Sequence, residues 1–502
     1  MARYDLDKRG TLSKYQYLHR CIRDDIRKGT LSAGSRLPAK RLLAHDLEVS
    51  VSTVEHAYSL LVSEGYLTVK PGSGFVVCPG KAEEVNSSKN NREQNNESSK
   101  DKDQGQECAS FQHHIDFKAN RCSLELFPLD TWSRLMRQVL SERNPAMLEP
   151  IPFNGLYSLR KAIATNLYES KGICVSPDRI VVGAGTEYLY GKLLQLLADR
   201  QTIAIEDPGY KIFSEVSRSY GIRWDYIPLD GYGLSVKHLK KSSAQVVHVS
   251  PANHFPSGVV MSSRRRQELL DWLHEDARRL IIEDDYDSEI RYGGRAPASL
   301  ITQDESERVI YLNTFSKTLV PSLRIAYMIL PENLMNQYRD QLSFYSCTVS
   351  SFEQSTLAKF ISDGYFERHI NRLRRHYKKQ REQVLKALAH SKIAPFITVY
   401  AGEVGTHFLL DIDTAKSDEE IKEMAAKRGV ELAMLSDYCA GDIRNSKHCI
   451  VVNFASVSAN YISGAIMLLE EIFCEEIDSL PGGFSGSGRS GSSGGAGFSG
   501  KK

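Results

Sequence analysis

A lysine in an uncharged stretch, with an arginine seven residues on, is the first place where this sequence could do chemistry: Thr314-Phe315-Ser316-Lys317-Thr318-Leu319-Val320-Pro321-Ser322-Leu323-Arg324. Upstream, Glu283-Asp284-Asp285-Tyr286-Asp287-Ser288-Glu289 crowds carboxylates beside a phenol. Each segment alone has a plainer reading. A single lysine is most often a surface lysine, and a carboxylate cluster is a metal-site candidate, although no histidine joins this one. Pyridoxal phosphate accounts for both segments at once. It calls for a lysine amine to form a Schiff base, a carboxylate to keep the pyridine nitrogen protonated, a phenol for the ring oxygen and an arginine for the phosphate.

Two further loops extend this set. Gly183-Ala184-Gly185-Thr186-Glu187 lies between a strand pattern and a helix pattern, where backbone N–H groups and the positive helix end suit a phosphate. Glu206-Asp207-Pro208-Gly209-Tyr210 offers a ring to cover the pyridine face, although a tyrosine so placed is more commonly a core residue. The elements that must position these loops are short apolar runs: 179–183, 202–206, 246–250, 280–283, 309–313 and 326–330. Helical stretches separate several of them. Such alternation predicts an α/β unit over 111–480, with a mostly parallel sheet covered by helices and a ligand at the strand ends.

The first 78 residues have a different pattern. Tyr15, Leu18, Ile22 and Ile26 recur at helical spacing, with Gly29 and Gly34 beyond them. A second short helix fits 38–47, with Pro38 near its start and Leu42, Leu43 and Leu47 as its buried stripe. A third runs from about Ser50, a plausible cap, to Glu64. Its inner face is Val54, Ala57, Tyr58, Leu61 and Val62, so Ser52, Thr53 and His56 point outward at its front. Two alternating strands around Pro71-Gly72-Ser73-Gly74 follow. Helix, helix-turn-helix and hairpin is the winged-helix order; a helical dimerisation module is the alternative. Twelve Lys/Arg against eight Asp/Glu up to Cys78 make a local footprint suited to phosphate contact.

Composition sets the limits. With 502 residues, 41% hydrophobic residues and a formal charge of +2, the chain has room for at least two domains and is not a global polycation. Nine cysteines, scattered and nowhere in a Cys-x-x-Cys pair, argue against a disulfide framework or a structural zinc, so no metal is expected. No apolar run reaches the roughly 18 residues of a membrane span, and the start lacks a signal-like stretch, so a cytoplasmic protein is expected. Residues 79–110 are polar enough to predict a flexible linker, and 481–502 a Gly/Ser-rich tail that cannot pack.

The amino-terminal segments Leu37-Pro38-Ala39-Lys40-Arg41-Leu42-Leu43-Ala44, Val51-Ser52-Thr53-Val54, Glu64-Gly65-Tyr66-Leu67 and Gly72-Ser73-Gly74 resemble the GntR-type winged helix. That likeness implies a DNA face made of Lys40, Arg41, Ser50, Ser52, Thr53, His56 and the wing residues Gly72 and Ser73. Val51 stands where many members have arginine. In the large domain the glycine loop, Tyr210, Pro251 to Gly258, Asp284-Asp285-Tyr286, Lys317 and Arg324 follow one another as in fold-type I aminotransferases. Phe127-Pro128, Trp132, Gly155 and Leu159-Arg160 match the segment that opens that domain. The whole resembles the MocR-type regulators, a GntR subfamily fusing a winged helix to an aminotransferase-like domain. The resemblance implies an internal aldimine at Lys317, Asp284 at the ring nitrogen, Tyr286 at the ring oxygen and Tyr210 over the ring. It places Arg324, Ser316, Thr314, Ala184, Gly185 and Thr186 at the phosphate, and Asn253 and His254 at the ring edge. It further implies double-stranded operator DNA, a small amine or amino-acid effector (or the cofactor itself) and a homodimer as partners.

Three departures bear on activity. Asn253-His254 replaces the usual His-Gln before the aromatic. Pro150-Ile151-Pro152-Phe153 replaces Tyr-Gly-Asp-Pro, removing a tyrosine that could reach a partner subunit's site. Near Val451-Val452-Asn453-Phe454-Ala455 the strand lacks the arginine that grips the substrate carboxylate in aminotransferases. A regulator that exchanges amines without turnover is therefore expected, and a working aminotransferase with an appended DNA-binding domain is the alternative.

Overall fold

The computed structural model describes residues 4, 6, 13–63, 66–70, 74–78, 115–118, 126–142, 144–199, 202–294, 297–440, 448–457 and 461–477. The expected linker and tail, and the wing residues Gly72 and Ser73, lie outside them. Contacts divide the chain into one compact unit over 1–109 and a second over 110–502.

In the first unit, helix α1 (Lys14–Arg27) opens where the Gln16 side chain accepts from the Ser13 N–H at 3.1 Å. It buries Leu18, Ile22 and Ile26, which repeat every four residues on one face. Helix α2 (Lys40–Asp46) and helix α3 (Val51–Ser63) form the helix-turn-helix, with Ser50 Oγ accepting from the Thr53 N–H at 3.3 Å. The stripe expected on α2 needs one correction: Leu42 is 57% exposed, while Leu43 and Ala44 are buried. Leu42 lies about 200° around the helix from Ala44, so it falls off the face that Leu43 and Ala44 share. On α3, Val54, Ala57, Tyr58 and Leu61 are buried as their spacing predicts. Strands β1 (Leu67–Lys70) and β2 (Gly74–Val77) pair antiparallel, Leu67 opposite Val77, and Arg36 adds a bridge to Val76.

The second unit starts with a two-residue strand, β3 (Ile115–Asp116). Its main sheet contains β4 (Ile180–Gly183), β5 (Thr202–Asp207), β6 (Arg223–Asp230), β7 (Gly233–Leu234), β8 (Val246–Val249), β9 (Leu280–Asp284), β10 (Val309–Thr314) and β11 (Ala326–Ile329). The spatial order is β4-β11-β10-β9-β8-β5-β6-β7. The neighbours from β10 through β9, β8 and β5 to β6 run parallel. Strand β11 is antiparallel to both β10 and β4 because the chain between β10 and β11 is a loop with no crossover helix, and such a connection returns only antiparallel. Residues 315–325 of that return carry Lys317 and Arg324.

Strands β4, β8, β9, β10 and β11 are buried at every position, as strands covered on both faces must be. Strands β12 (Ile397–Tyr400), β13 (His407–Ile412) and β15 (Cys449–Asn453) form a smaller antiparallel sheet, and β14 (Val430–Glu431) pairs with β3. Among the described residues no helix is long and apolar enough to cross a membrane.

Candidate functional site

Because β4, β5, β8, β9 and β10 point the same way, their carboxyl ends meet along one edge of the sheet, where such folds place ligands. A cavity of about 400 Å³ opens there, lined by Lys317, Ser316, Thr314, Arg324, Tyr210, Asp284, Tyr286, His254 and Thr186. A larger cleft of about 570 Å³ lies at the opposite ends of β5 and β6, beside Thr202 and Arg223, and holds none of the candidate residues.

Three of the expected contacts fall outside the lining. The Ala184 N–H donates to Thr348 Oγ1 at 3.1 Å and the Gly185 N–H to Gly183 O at 2.9 Å, so neither points at the cavity. Asn253 sits behind the lining, its Nδ2 donating to Asp287 Oδ2 at 2.8 Å and to Tyr286 Oη at 3.2 Å. Its Nδ2 thus holds the phenol, while its buried Oδ1 has no hydrogen-bond partner among the described residues.

The crowded carboxylates of 283–289 separate once folded: Glu283 and Asp284 end β9 and face opposite ways, and the others lie on the turn beyond it. Glu283 turns away and accepts from Ser299 Oγ at 2.7 Å and from the N–H groups of Leu300 and Ile301 at 3.0 Å. Asp285 and Glu289 meet Lys171, the last residue of the 157–171 helix: Nζ lies 2.7 Å from Asp285 Oδ2, 2.8 Å from Glu289 Oε1 and 3.0 Å from Tyr311 Oη. Desolvation works against ionisation of Asp285, but the Lys171 charge and hydrogen bond override it and hold the carboxyl below its usual range.

Asp284 alone of the run's carboxylates lines the cavity, and it lacks a partner of that kind. Burial, then its neighbours Asp285 and Asp287, push it up to about 8, against the opposing charge of Lys317. The His248 Nε2 atom is 3.8 Å from Asp284 Oδ2, too long for a hydrogen bond, and has no hydrogen-bond partner among the described residues. Burial lowers His248 to about 3, so this contact is not an ion pair near neutrality. Glu206 behaves similarly: it accepts from the Ser250 N–H at 2.9 Å, and burial raises it to about 8. Its neighbour His254, 3.6 Å away, falls to about 3 by desolvation.

This arrangement fits pyridoxal phosphate. A desolvated carboxylate at the cavity wall calls for a buried cation such as a protonated ring nitrogen. Tyr210 stands over the opening with Phe255, their ring centroids 6.0 Å apart and edge-on. Gly185, at φ 97°, holds a backbone conformation that side chains rarely adopt, and a Cβ there would push the Arg324 guanidinium aside. Lys317 Nζ lies 5.6 Å from the Tyr286 ring centre.

Glu206, Glu187, His248, Phe213, Phe255, Tyr438 and Lys118 also line the cavity but were not among the expected site residues. His248 carried a signal, an imidazole inside the apolar run Val246-Val247-His248-Val249. Tyr438 and Lys118 come from distant segments and carried none.

On the first unit, Arg41, Ser50, Ser52 and His56 are exposed and Thr53 is partly so. The His56 ring lies 5.8 Å from that of Tyr15. Lys40 is ion-paired with Glu55 at 2.5 Å. Exposed Val51 stands at the front of α3.

The chain matches the family "Aminotransferase class I and II" over residues 112–461 and "Bacterial regulatory proteins, gntR family" over 14–77. It is 35% identical to the HTH-type transcriptional regulator YdeL of Bacillus subtilis, over 84% of this chain and 89% of that protein. It is 32% identical to the rhizopine catabolism regulatory protein MocR of Rhizobium meliloti, over 86% of this chain and 88% of that protein. Among solved structures it is similar to the kynurenine aminotransferase of Pyrococcus horikoshii in complex with PMP. That likeness has a TM-score of 0.64 and 25% identity, and covers 72% of this chain and 91% of that one.

Proposed function

The chain belongs to the MocR-type subfamily of GntR transcriptional regulators, a winged helix-turn-helix joined to a domain of aminotransferase fold, and from that premise we propose that it is a pyridoxal-phosphate-dependent sensor acting on operator DNA. The observation that carries this reading is a single cavity that gathers Lys317, Asp284, Tyr286, Tyr210 and Arg324 from separate loops.

Bound pyridoxal phosphate supplies an aldehyde that condenses with amines and a ring that accepts electron density. Lys317 Nζ offers the amine. Asp284 would keep a proton on the ring nitrogen, Tyr286 would donate to the ring oxygen, and Tyr210 would cover one face and exclude water. Arg324, Ser316, Thr314 and Thr186 hold the phosphate. Lys317 would be the side chain that an effector amine competes with for the aldehyde, and a site that differs between its occupied and released states would be coupled to DNA affinity. DNA then changes effector affinity by the same factor. Arg41 and the front of α3 face the DNA, in a homodimer that reads two half-sites.

A working aminotransferase is the second reading, favoured by the fold of the solved neighbour. Strand β15 counts against it. The run Val451-Val452-Asn453-Phe454-Ala455 carries no arginine, and Val451 packs with Leu409, Ala433, Leu435 and Cys449.

The absorption spectrum of the protein with pyridoxal phosphate, before and after borohydride, tests the cofactor site. A chromophore trapped by reduction in wild type and lost in Lys317→Ala is expected, and its absence from both would overturn the reading. An amine screen then separates exchange from turnover, because only turnover releases a keto product.

A further inference from the structure

Arg324, the guanidinium assigned to the phosphate, already holds an anion belonging to the chain. Its Nη2 donates to Glu187 Oε2 at 2.6 Å. Glu187 is the second residue of the 186–196 helix, directly after Thr186, and both residues line the cavity. The carboxylate therefore combines a guanidinium with the positive end of a helix, the same pair of features that would hold a phosphate there. Two further observations bear on this geometry. Gly185 is bare where a Cβ would strike the guanidinium and come within 3.0 Å of Glu187 Oε2. Arg324 has a φ of 50°, a left-handed conformation uncommon for a residue with a side chain. The Glu187 charge also reaches into the cavity, adding to the desolvation that raises the Tyr210 phenol.

We infer that Glu187 is a built-in competitor for the cofactor's phosphate: its carboxylate occupies Arg324, and phosphate binding displaces it. This rests on the reading of the cavity as a pyridoxal phosphate site. It also deepens that reading, because a competitor on the phosphate arginine holds cofactor affinity down. Occupancy then follows the concentration of free pyridoxal phosphate, which makes the cofactor a signal in its own right. A dianionic phosphate next to an ionised Glu187 adds like-charge repulsion in the same direction. The opposing role is a buttress, in which Glu187 holds Arg324 ready for phosphate, and it predicts the opposite sign.

The test titrates the full chain, wild type and Glu187→Gln, with pyridoxal phosphate and separately with pyridoxal, reading absorbance and protein fluorescence. Pyridoxal has the same ring and aldehyde without the phosphate, so it reports the rest of the site and the integrity of the fold. The dissociation constant for pyridoxal phosphate is expected to fall about fivefold in Glu187→Gln, the scale set by a partly exposed ion pair, while that for pyridoxal stays unchanged. Unchanged or weaker binding of pyridoxal phosphate in the variant would overturn the inference and leave the cofactor site standing. If neither protein binds pyridoxal phosphate, the cofactor reading fails with it.

Discussion

Asp284 and Asp285 are adjacent, both buried, and opposite in their electrostatics. Asp285 faces the back of the loop, where Lys171, Tyr311 and Ser288 surround the cluster and ionisation is favoured. Asp284 faces the cavity, where burial and like charges raise it and the nearest ring nitrogen is a neutral imidazole out of hydrogen-bond range. Glu206, which also lines the cavity, is raised to about 8, and Asp287, behind the lining and hydrogen-bonded by Asn253, to about 7, in each case first by burial. The difference separates two uses of buried charge. On the back, carboxylates and lysine satisfy one another and fix the loop. On the cavity side the charge of Lys317 opposes the shifts of Asp284 and Asp287 without overcoming burial, the kind of perturbed carboxyl that clusters at ligand sites.

The most severe way to break this comparison is Lys171→Met. It leaves Asp285 and Glu289 buried beside one another without their cation, so unfolding by urea near pH 7 is expected to show a loss of about 3–5 kcal/mol. A loss below about 1 kcal/mol would mean that the two flanks of the loop do not differ. Asp284→Asn cuts the other way. In the protein without cofactor, a carboxyl raised from 3.8 to about 8 contributes its stability fully below its unfolded pKa and loses it as pH rises toward the folded one. The asparagine variant should therefore gain on wild type between about pH 5 and pH 8, by about 1 kcal/mol or more. With pyridoxal phosphate bound the advantage should disappear, because the ring cation then stabilises the aspartate. Thermal unfolding at several pH values, with and without cofactor, measures both.

How much of this was legible in the sequence depended on distance along the chain. Asp284 ends an apolar strand run, Lys317 and Tyr210 lie three residues beyond one and Arg324 just before one, and local pattern is enough to place residues at strand ends. The compensation of Asp285 was invisible, because Lys171 is 114 residues upstream and reads as an ordinary cation in the last turn of a helix. Ala184 and Gly185 had the composition of a phosphate loop, yet their N–H groups go to Thr348 and Gly183, and only folding decides that. The sheet shows the same limit. The six expected strand runs all form strands, but an apolar run has no direction, so the antiparallel β11 could not be read from it. Strand β6 was missed because it is half-exposed and contains Pro228, unlike the apolar runs around it.

Asn253 stands at the boundary between the two flanks and sharpens the comparison with the smallest expected effect. Its Nδ2 donates both to Asp287, behind the lining, and to the phenol of Tyr286, which lines the cavity. If its role is to orient Tyr286, removing it should act on the cofactor only through that phenol. Asn253→Ala is expected to lower stability by about 1 kcal/mol, the worth of a hydrogen bond to a carboxylate or hydroxyl partner, and to weaken pyridoxal phosphate binding modestly. Tyr286→Phe should weaken it as well. In the double variant the cofactor affinity should equal that of Tyr286→Phe alone, because Asn253 then has no phenol left to orient. Additive losses would instead place Asn253 in direct contact with the ring edge, as the family resemblance implies, and would move the boundary of the site one residue deeper into the loop.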